Sequence, residues 1–188
     1  MIEETYDFIQ NQEENHWWFQ GRLNILKSLL MNSIELNDEK INKLVDLGCG
    51  TGMFMNYISP LFNEVFGVEE YQYKESKNNN IIKCSALKTP FEDKSVDVVS
   101  SLDVLEHIEN EDLLLKEANR ILKQDGYLLL TVPANQFLYS NHDKIHGHYK
   151  RYSKKQLEEV VHRNGFEVIK CSYFNTLLFP ISATVRLI

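Results

Sequence analysis

Apolar residues along this chain follow two rhythms. Over residues 5–31 they recur at helical spacing, with Phe8, Trp17, Trp18, Leu23, Ile25, Leu26, Leu29 and Leu30 supplying the faces, and a helical segment is predicted there. A polar connection, NSIELNDEKINK, covers 32–43. From residue 44 onward, short apolar runs alternate with helical patterns. The runs predict strands at 44–48, 64–69, 81–85, 96–101 and 127–133, and FEVIKCSYF predicts a sixth over 166–174. Met53, Phe54, Tyr57 and Ile58 mark a helix ending near Ser59 and Pro60. Asn110 is placed to cap a second, with a stripe of Leu113, Leu114, Ala118, Ile121 and Leu122; Ser153 caps a third, KKQLEEVVHRN, which Gly165 stops.

Strands that alternate with helices pair in parallel, because each crossover must return across the sheet. The expected fold class is therefore α/β, a doubly wound, mostly parallel sheet with helices on both faces. An N-terminal helical cap, 1–43, precedes a single unit, 44–188. The end of the chain, LLFPISATVRLI, is strongly apolar with no polar tail. It reads as an extra edge strand, a hydrophobic patch over the substrate or a truncated chain; truncation is favoured, since a sheet of this kind usually has one more strand after the sixth. Ligands of such sheets sit beyond the C-terminal strand ends, where the strand order reverses.

Composition adds only exclusions. At 188 residues, 43% hydrophobic and 25% charged, the chain suffices for one domain with a full core. A net charge of −7 disfavours nonspecific nucleic-acid binding, and no nucleic-acid partner is expected. Three widely spaced cysteines and no C-x-x-C suggest neither a disulfide framework nor a thiolate zinc site. The acidic N-terminus lacks a signal core and no segment is long enough to span a bilayer, so a reduced, cytoplasmic setting is expected.

The candidate chemistry begins at LVDLGCGTGMFMNYI, a strand, a glycine loop and a helix start. The glycines are Gly48, Gly50 and Gly52, and Met53 stands where the dinucleotide fingerprint G-x-G-x-x-G carries its third glycine. Glycine at 48 and 50 permits positive φ and close approach of backbone to a ligand. Asp46 sits two residues before the first glycine. Its carboxylate repels a pyrophosphate and attracts a cation, which suits S-adenosylmethionine (SAM), whose ammonium and sulfonium come without phosphate. The competing role for Asp46 is to accept hydrogen bonds from loop N–H groups, and the two can coexist.

The other strand ends fit one pocket. Glu69 and Glu70 end strand 2, and Glu69 lies 21 positions after Gly48, where a carboxylate can accept both ribose hydroxyls of an adenosine. The alternative is a solvated acidic turn. Strand 3 ends at Cys84, Ser85 and Ala86, where Ser85 offers a polar contact to an adenine amine. Strand 4 ends at Ser101, Leu102 and Asp103, followed closely by His107, either a catalytic group or a helix-cap histidine.

These motifs together resemble the class I SAM-dependent methyltransferases: VDLGCGTG their first motif, GVEEY their ribose-binding strand end, FEDKSVDVVSSLDVLEHI their fourth strand, and EANRILKQDGYLLLTVP the helix and strand that follow. HWWFQGR, His16 to Arg22, resembles the HxWWFxxR helix of small-molecule methyltransferases often encoded with surface-glycan and lipid pathways. HDKIHGHYKRYSKKQL resembles that subgroup's GHxRRY segment, with Lys150 in place of its first arginine. The resemblance implies SAM as cofactor and S-adenosylhomocysteine (SAH) as product. It places Asp46, Gly48, Cys49 and Gly50 at the methionine moiety, Glu69 and Glu70 at the ribose, Ser85 and Ala86 by the adenine, and Leu102 on the floor. Trp17, Trp18 and Arg22 would close over the cofactor. The family carries aspartate where this chain has Ser85, which weakens the adenine hydrogen bond.

Methyl transfer needs alignment and exclusion of water more than covalent chemistry. Aromatic faces suit the spreading positive charge, and Trp17, Trp18, Phe19 and Tyr152 are candidate walls or plain core. An oxygen acceptor needs a base, for which His107, His142, His146 and His148 are candidates. The group His142, Asp143, His146 and His148 also has metal-ligand chemistry, but a mobile lid is the favoured reading and no metal site is assigned. Lys150 and Arg151 either meet an anionic acceptor or are surface charges. The acceptor itself is a small molecule of the glycan, lipid or quinone-precursor class. Two rival functions are a noncatalytic SAM-binding module and an NAD-dependent oxidoreductase; the oligomeric state is not legible.

Overall fold

The computed structural model describes residues 16–34, 43–71 and 80–174, with 176 and 179. Among the described residues, α-helices and strands run in the order α1 (Trp17–Ser33), β1 (Lys43–Leu47), α2 (Met53–Ile58), β2 (Glu64–Glu69), β3 (Ile81–Lys83), β4 (Val96–Leu102), α3 (Asp112–Ile121), β5 (Leu122–Thr131), α4 (Asn141–Ile145) and α5 (Lys154–Arg163), with short 3-10 turns between some of them. The five strands form one sheet in the order β3-β2-β1-β4-β5, and every pairing is parallel. The α/β, doubly wound architecture is thus as expected. Strand order reverses between β1 and β4, which puts the crevice of the switch point beyond Leu47 and Leu102.

Side-chain alternation explains the two faces. Leu44 and Val98 belong to one apolar cluster, Val45, Leu47 and Val99 to the other. The first face is covered by Leu23, Leu26 and Leu30 of α1 and by Phe54, Met55 and Ile58 of α2. The second is covered by Leu114, Leu115, Ala118 and Ile121 of α3 and by Val160 and Val161 of α5. Each of these side chains larger than alanine contributes about 1.5–3 kcal/mol by burial. Since residues i and i+2 share a face, Asp46 points to the side of Leu44 and Ser100 to the side of Val98, beneath α1.

Local chemistry sets the helix starts. His16 caps α1, its Nδ1 accepting from the Trp18 N–H at 3.3 Å. Asn110 accepts from the Asp112 N–H at 3.3 Å at the start of α3. Ser153 and Gln156 form a reciprocal capping box on α5. Helix 5–31 is seen as Trp17–Ser33; its first part lies outside the described residues, as do the polar stretch KESKNNN, apart from its last asparagine, and the apolar chain end from 180.

One element departs from expectation. Residues 166–174 are not a strand. Phe166 and Val168 pack on the second cluster, but Ile169 is 68% exposed and Tyr173 instead bonds the Lys154 N–H through its hydroxyl at 3.0 Å. Strand propensity reports a fit to a half-buried pleated surface, and the segment has apolar side chains without a ladder to join. A smaller difference lies at Asp125 and Gly126, which sit within β5 at a register shift opposite Val96 and Val98, with Asp125 at φ +63°. Among the described residues no helix is long and apolar enough to cross a membrane.

Candidate functional site at the C-terminal strand ends

The glycine loop leaves β1 at Gly48. Gly48, Gly50 and Gly52 all take positive φ, at +75°, +54° and +82°. At Gly48 a Cβ would lie 2.5 Å from a Val104 methyl carbon, so both backbone and packing demand glycine. At Gly50 a Cβ would meet nothing within 4 Å, so the loop opens there onto free space.

The loop amides are already engaged. The N–H groups of Gly48 and Cys49 donate to the Val68 carbonyl at 2.8 and 3.0 Å, and the Gly50 N–H donates to Glu69 Oε2 at 2.9 Å. A phosphate would have to displace the Glu69 carboxylate and face its charge, so this loop is poorly made for a diphosphate. Glu69 also accepts from the Tyr71 N–H at 3.1 Å, which fixes it at the end of β2. Glu70 beside it is exposed. Cys49 packs against Gly67, where a Cβ would come within 2.5 Å of its sulfur, and burial pushes its thiol far up in pKa. Cys49, Cys84 and Cys171 are free thiols.

Asp46 is 2% exposed and accepts a hydrogen bond from Ser100 Oγ at 2.7 Å, across the β1–β4 pair. Burial pushes its pKa up to about 7, against the hydrogen bond from Ser100; Glu69 adds to the rise and Arg22 opposes it. Asp46 thus pairs with a neighbouring strand, while the Gly48, Cys49 and Gly50 N–H groups donate to Val68 and Glu69. A buried carboxyl poised near neutrality is a receptor for positive charge.

Arg22 reaches this region from α1. Its Nη2 meets Asp103 Oδ2 at 2.5 Å and donates to Thr131 Oγ1 at 2.9 Å, and Thr131 donates onward to Asp103 Oδ1 at 3.0 Å. These partners stand just past β4 and at the end of β5, so Arg22 bolts the helix to the sheet edge of the crevice. Its Nε is buried without a hydrogen-bond partner, a donor left for an acceptor such as a carboxylate. Trp18 lies half-buried against Phe174, rings stacked at 6.0 Å, whereas Trp17 is 67% exposed. Leu102 ends β4 half-buried, packed on the α1 side. Ser85 and Ala86 follow β3 in a turn, with Ser85 Oγ accepting from the Leu87 N–H at 3.4 Å. Tyr152 is core, 2% exposed, and not a pocket wall.

The histidine segment is where expectation and structure diverge most. The expected lid is a folded unit: Ser140 and Asp143 form a capping box on α4, and Asp143 is fully buried. Arg151 is also buried, with its Nε and Nη2 on Asp143 Oδ1 at 2.8 and 2.7 Å, and is not a surface charge. Burial alone would raise the Asp143 pKa, but hydrogen bonds from Arg151, Ser140 and His148 hold it well below the carboxylate range. Asp143 thus belongs to an ion pair, and it is not a member of a four-residue metal cluster with His142, His146 and His148. Lys150 pairs with Glu111.

Of the four candidate histidines, the structure brings His107 and His148 closest to the turn after β4, with His146 6.1 Å from His148. The His107 and His148 rings meet edge to face at 4.7 Å. Desolvation, helped by His148, lowers the His107 pKa, so its imidazole is neutral at pH 7. His142 is exposed and lies against His146, ring centroids 4.3 Å apart and tilted by 42°. Glu106, which the sequence reading passed over, is 1% exposed beside His107, and burial, with Asp103 close by, pushes its pKa up to about 8. Its signal was the charged pair in DVLEH, a carboxylate inside an otherwise apolar turn. Ser100 and Thr131 were also missed; their signal is a hydroxyl on the inward face of a buried strand.

Comparison with known proteins bears on the family of the chain as a whole. A family model described as "Methyltransferase domain" matches residues 19–171. The chain is 28% identical, over 99% of its length and 86% of the other's, to an uncharacterised protein of Methanocaldococcus jannaschii. It is 25% identical to the ubiquinone biosynthesis O-methyltransferase of Pelagibacter ubique over 57% of this chain and 48% of that enzyme, about half its length. Among solved structures, phosphoethanolamine N-methyltransferase 2 of Haemonchus contortus, in complex with phosphomonomethylethanolamine and SAH, superposes with a TM-score of 0.69 at 21% identity. That match covers 87% of this chain and 42% of the enzyme and is a likeness of fold.

Proposed function

The chain belongs to the methyltransferase domain family, and on that premise we propose that this SAM-dependent enzyme methylates a small-molecule acceptor of the glycan, lipid or quinone-precursor class. The observation that carries the reading is the carboxylate pair at adjacent strand ends, Asp46 under the crevice and Glu69 across the glycine loop, with the loop amides already engaged. That arrangement favours a cationic amino acid joined to an adenosine and disfavours a diphosphate. The similarity to a ubiquinone biosynthesis O-methyltransferase supports a small-molecule acceptor.

The residues fit the cofactor on three counts. Gly50 faces open space, Arg22 Nε offers an unused buried donor, and Glu69 stands at the end of β2. We assign Asp46 and Arg22 to the ammonium and carboxylate of the methionine moiety, with Gly48, Cys49 and Gly50 as the backbone beside it. Glu69 takes the ribose hydroxyls, with Glu70 at the rim; Ser85 and Ala86 border the adenine; Leu102 is the floor and Trp18 the edge of the closing helix. Bound SAM supplies a methyl group already activated by its sulfonium.

The chain's own work is positioning. Arg22 ties α1 to Asp103 and Thr131 so that the helix covers the crevice and keeps water out. His107 and His148 stand together beside the crevice, His148 oriented by Asp143, and present imidazole nitrogens to the incoming group. His142 stands outside that pair.

The test is transfer of labelled methyl from SAM over a panel of glycan, lipid and quinone precursors. Label in at least one acceptor class, lost in a Glu69→Ala variant, is expected. SAH binding with no transfer to any member would instead make the chain a noncatalytic binding module.

A further inference from the structure

Beyond the cofactor residues, the turn after β4 and the segment after α4 bring three ligating groups to one point. Single ligating atoms of Glu106, His107 and His148 all lie within 4.8 Å of one another. Glu106 is 1% exposed and its Oε2 has no hydrogen-bond partner. A buried carboxylate oxygen left unpaired is costly, and native structures seldom leave one so without an unseen water or ion.

The two imidazoles are pre-set as ligands. His148 Nδ1 lies 3.1 Å from Asp143 Oδ1, which leaves Nε2 for another partner. Asp143 is itself locked by Arg151 and Ser140. The His107 ring lies beside Gly147 and meets the His148 ring edge to face at 4.7 Å. A carboxylate or carbonyl on the far nitrogen fixes the tautomer of a metal-bound histidine.

We propose that Glu106, His107 and His148 bind one divalent transition-metal ion through a carboxylate oxygen and two imidazole nitrogens. Three protein ligands leave coordination positions open, the mark of a reactive site and not a structural one. Two nitrogens and one oxygen suit zinc, manganese or ferrous iron over magnesium, which prefers an all-oxygen shell. An acceptor oxygen that took an open position would have its proton affinity lowered. That last role rests on the methyltransferase reading; the binding of the ion does not. It also makes the histidines ligands, with the metal and not an imidazole favouring the deprotonated acceptor.

The exposed pair His142 and His146, at 4.3 Å, is the competing adventitious site. Chelator-stripped protein is titrated calorimetrically with Zn²⁺, Mn²⁺ and Mg²⁺, and separately with SAH. One tight Zn²⁺ or Mn²⁺ per chain is expected, with Mg²⁺ at least ~10-fold weaker. Glu106→Gln, and independently the exposed-site variant His107→Ala, should weaken the ion by about 100-fold or more, beyond what loss of an outer partner costs. The double variant His142→Ala/His146→Ala should bind as the wild type does. SAH affinity within a few-fold of wild type in each variant certifies the fold. A wild-type protein that binds no ion overturns the site, as does loss of binding in the double variant or unchanged binding in both ligand variants. Metal binding without SAH binding would sink the methyltransferase reading and leave the metal site standing.

Discussion

The two halves of the crevice are built differently. The cofactor half, Asp46 to Glu69, is held by backbone: loop amides on Val68 and Glu69, glycines at positive φ, and a strand register that faces Asp46 to Ser100. The acceptor half, Glu106–His107 and Ser140–Arg151, is held by side-chain charge, with Asp143 gathering Arg151, Ser140 and His148 at its centre. The lesson is one of robustness. A site made of ladder register fails gradually, one contact at a time, whereas a site hung on one buried ion pair fails as a unit.

Asp143→Ala should therefore have the largest effect. Both partners of the Asp143–Arg151 pair are buried, and removal of one leaves an uncompensated charge worth about 3–5 kcal/mol. Thermal denaturation should show that loss, and limited proteolysis should cut between 139 and 152 while SAH still binds the folded fraction. If stability and the segment survive, the halves are not built differently.

Glu69→Ala comes next and should act on the opposite half alone. Loss of hydrogen bonds to a charged group, about 1.5–3 kcal/mol, should weaken SAH by about 10- to 150-fold with little change in melting temperature. An unaltered SAH affinity would remove Glu69 from the ribose. Gly48→Ala follows, with a strain of about 1–2 kcal/mol from positive φ, added to the Val104 contact. It should lower stability and SAH affinity together; a neutral result would show that the loop relaxes freely.

The smallest effect is the pH dependence of Asp46. Folding raises its pKa from 3.8 to about 7, so between those values the native state holds a proton that the unfolded chain has lost. The group's contribution to stability therefore falls as pH rises through that window. A cationic ligand favours the ionised form, so SAM binding should tighten as pH rises from 6 to 8, by at most about tenfold per unit below pH 7. Asp46→Asn should flatten that profile.

Legibility in the sequence divides along the same line. The strand–glycine loop–helix unit, the spacing from Gly48 to Glu69 and the alternation behind the parallel sheet were readable, since each is a short-range consequence of periodicity or backbone freedom. The roles of Arg151 and Asp143 were not, because charge alone does not say which arginine turns inward. His107 and His148 are 41 positions apart, and only the fold brings their rings to 4.7 Å. FEVIKCSYF misled for a related reason: β propensity is visible in a sequence, but the presence of a partner edge is not.

The central claim is that the mouth of the first crossover takes an adenosyl sulfur amino acid and refuses a diphosphate. Isothermal calorimetry of the wild-type chain with SAH and with NAD addresses it directly. Saturable 1:1 heat with SAH, weakened in Glu69→Ala, and no heat with NAD is the result the account predicts. Tight binding of NAD with no heat from SAH would contradict it.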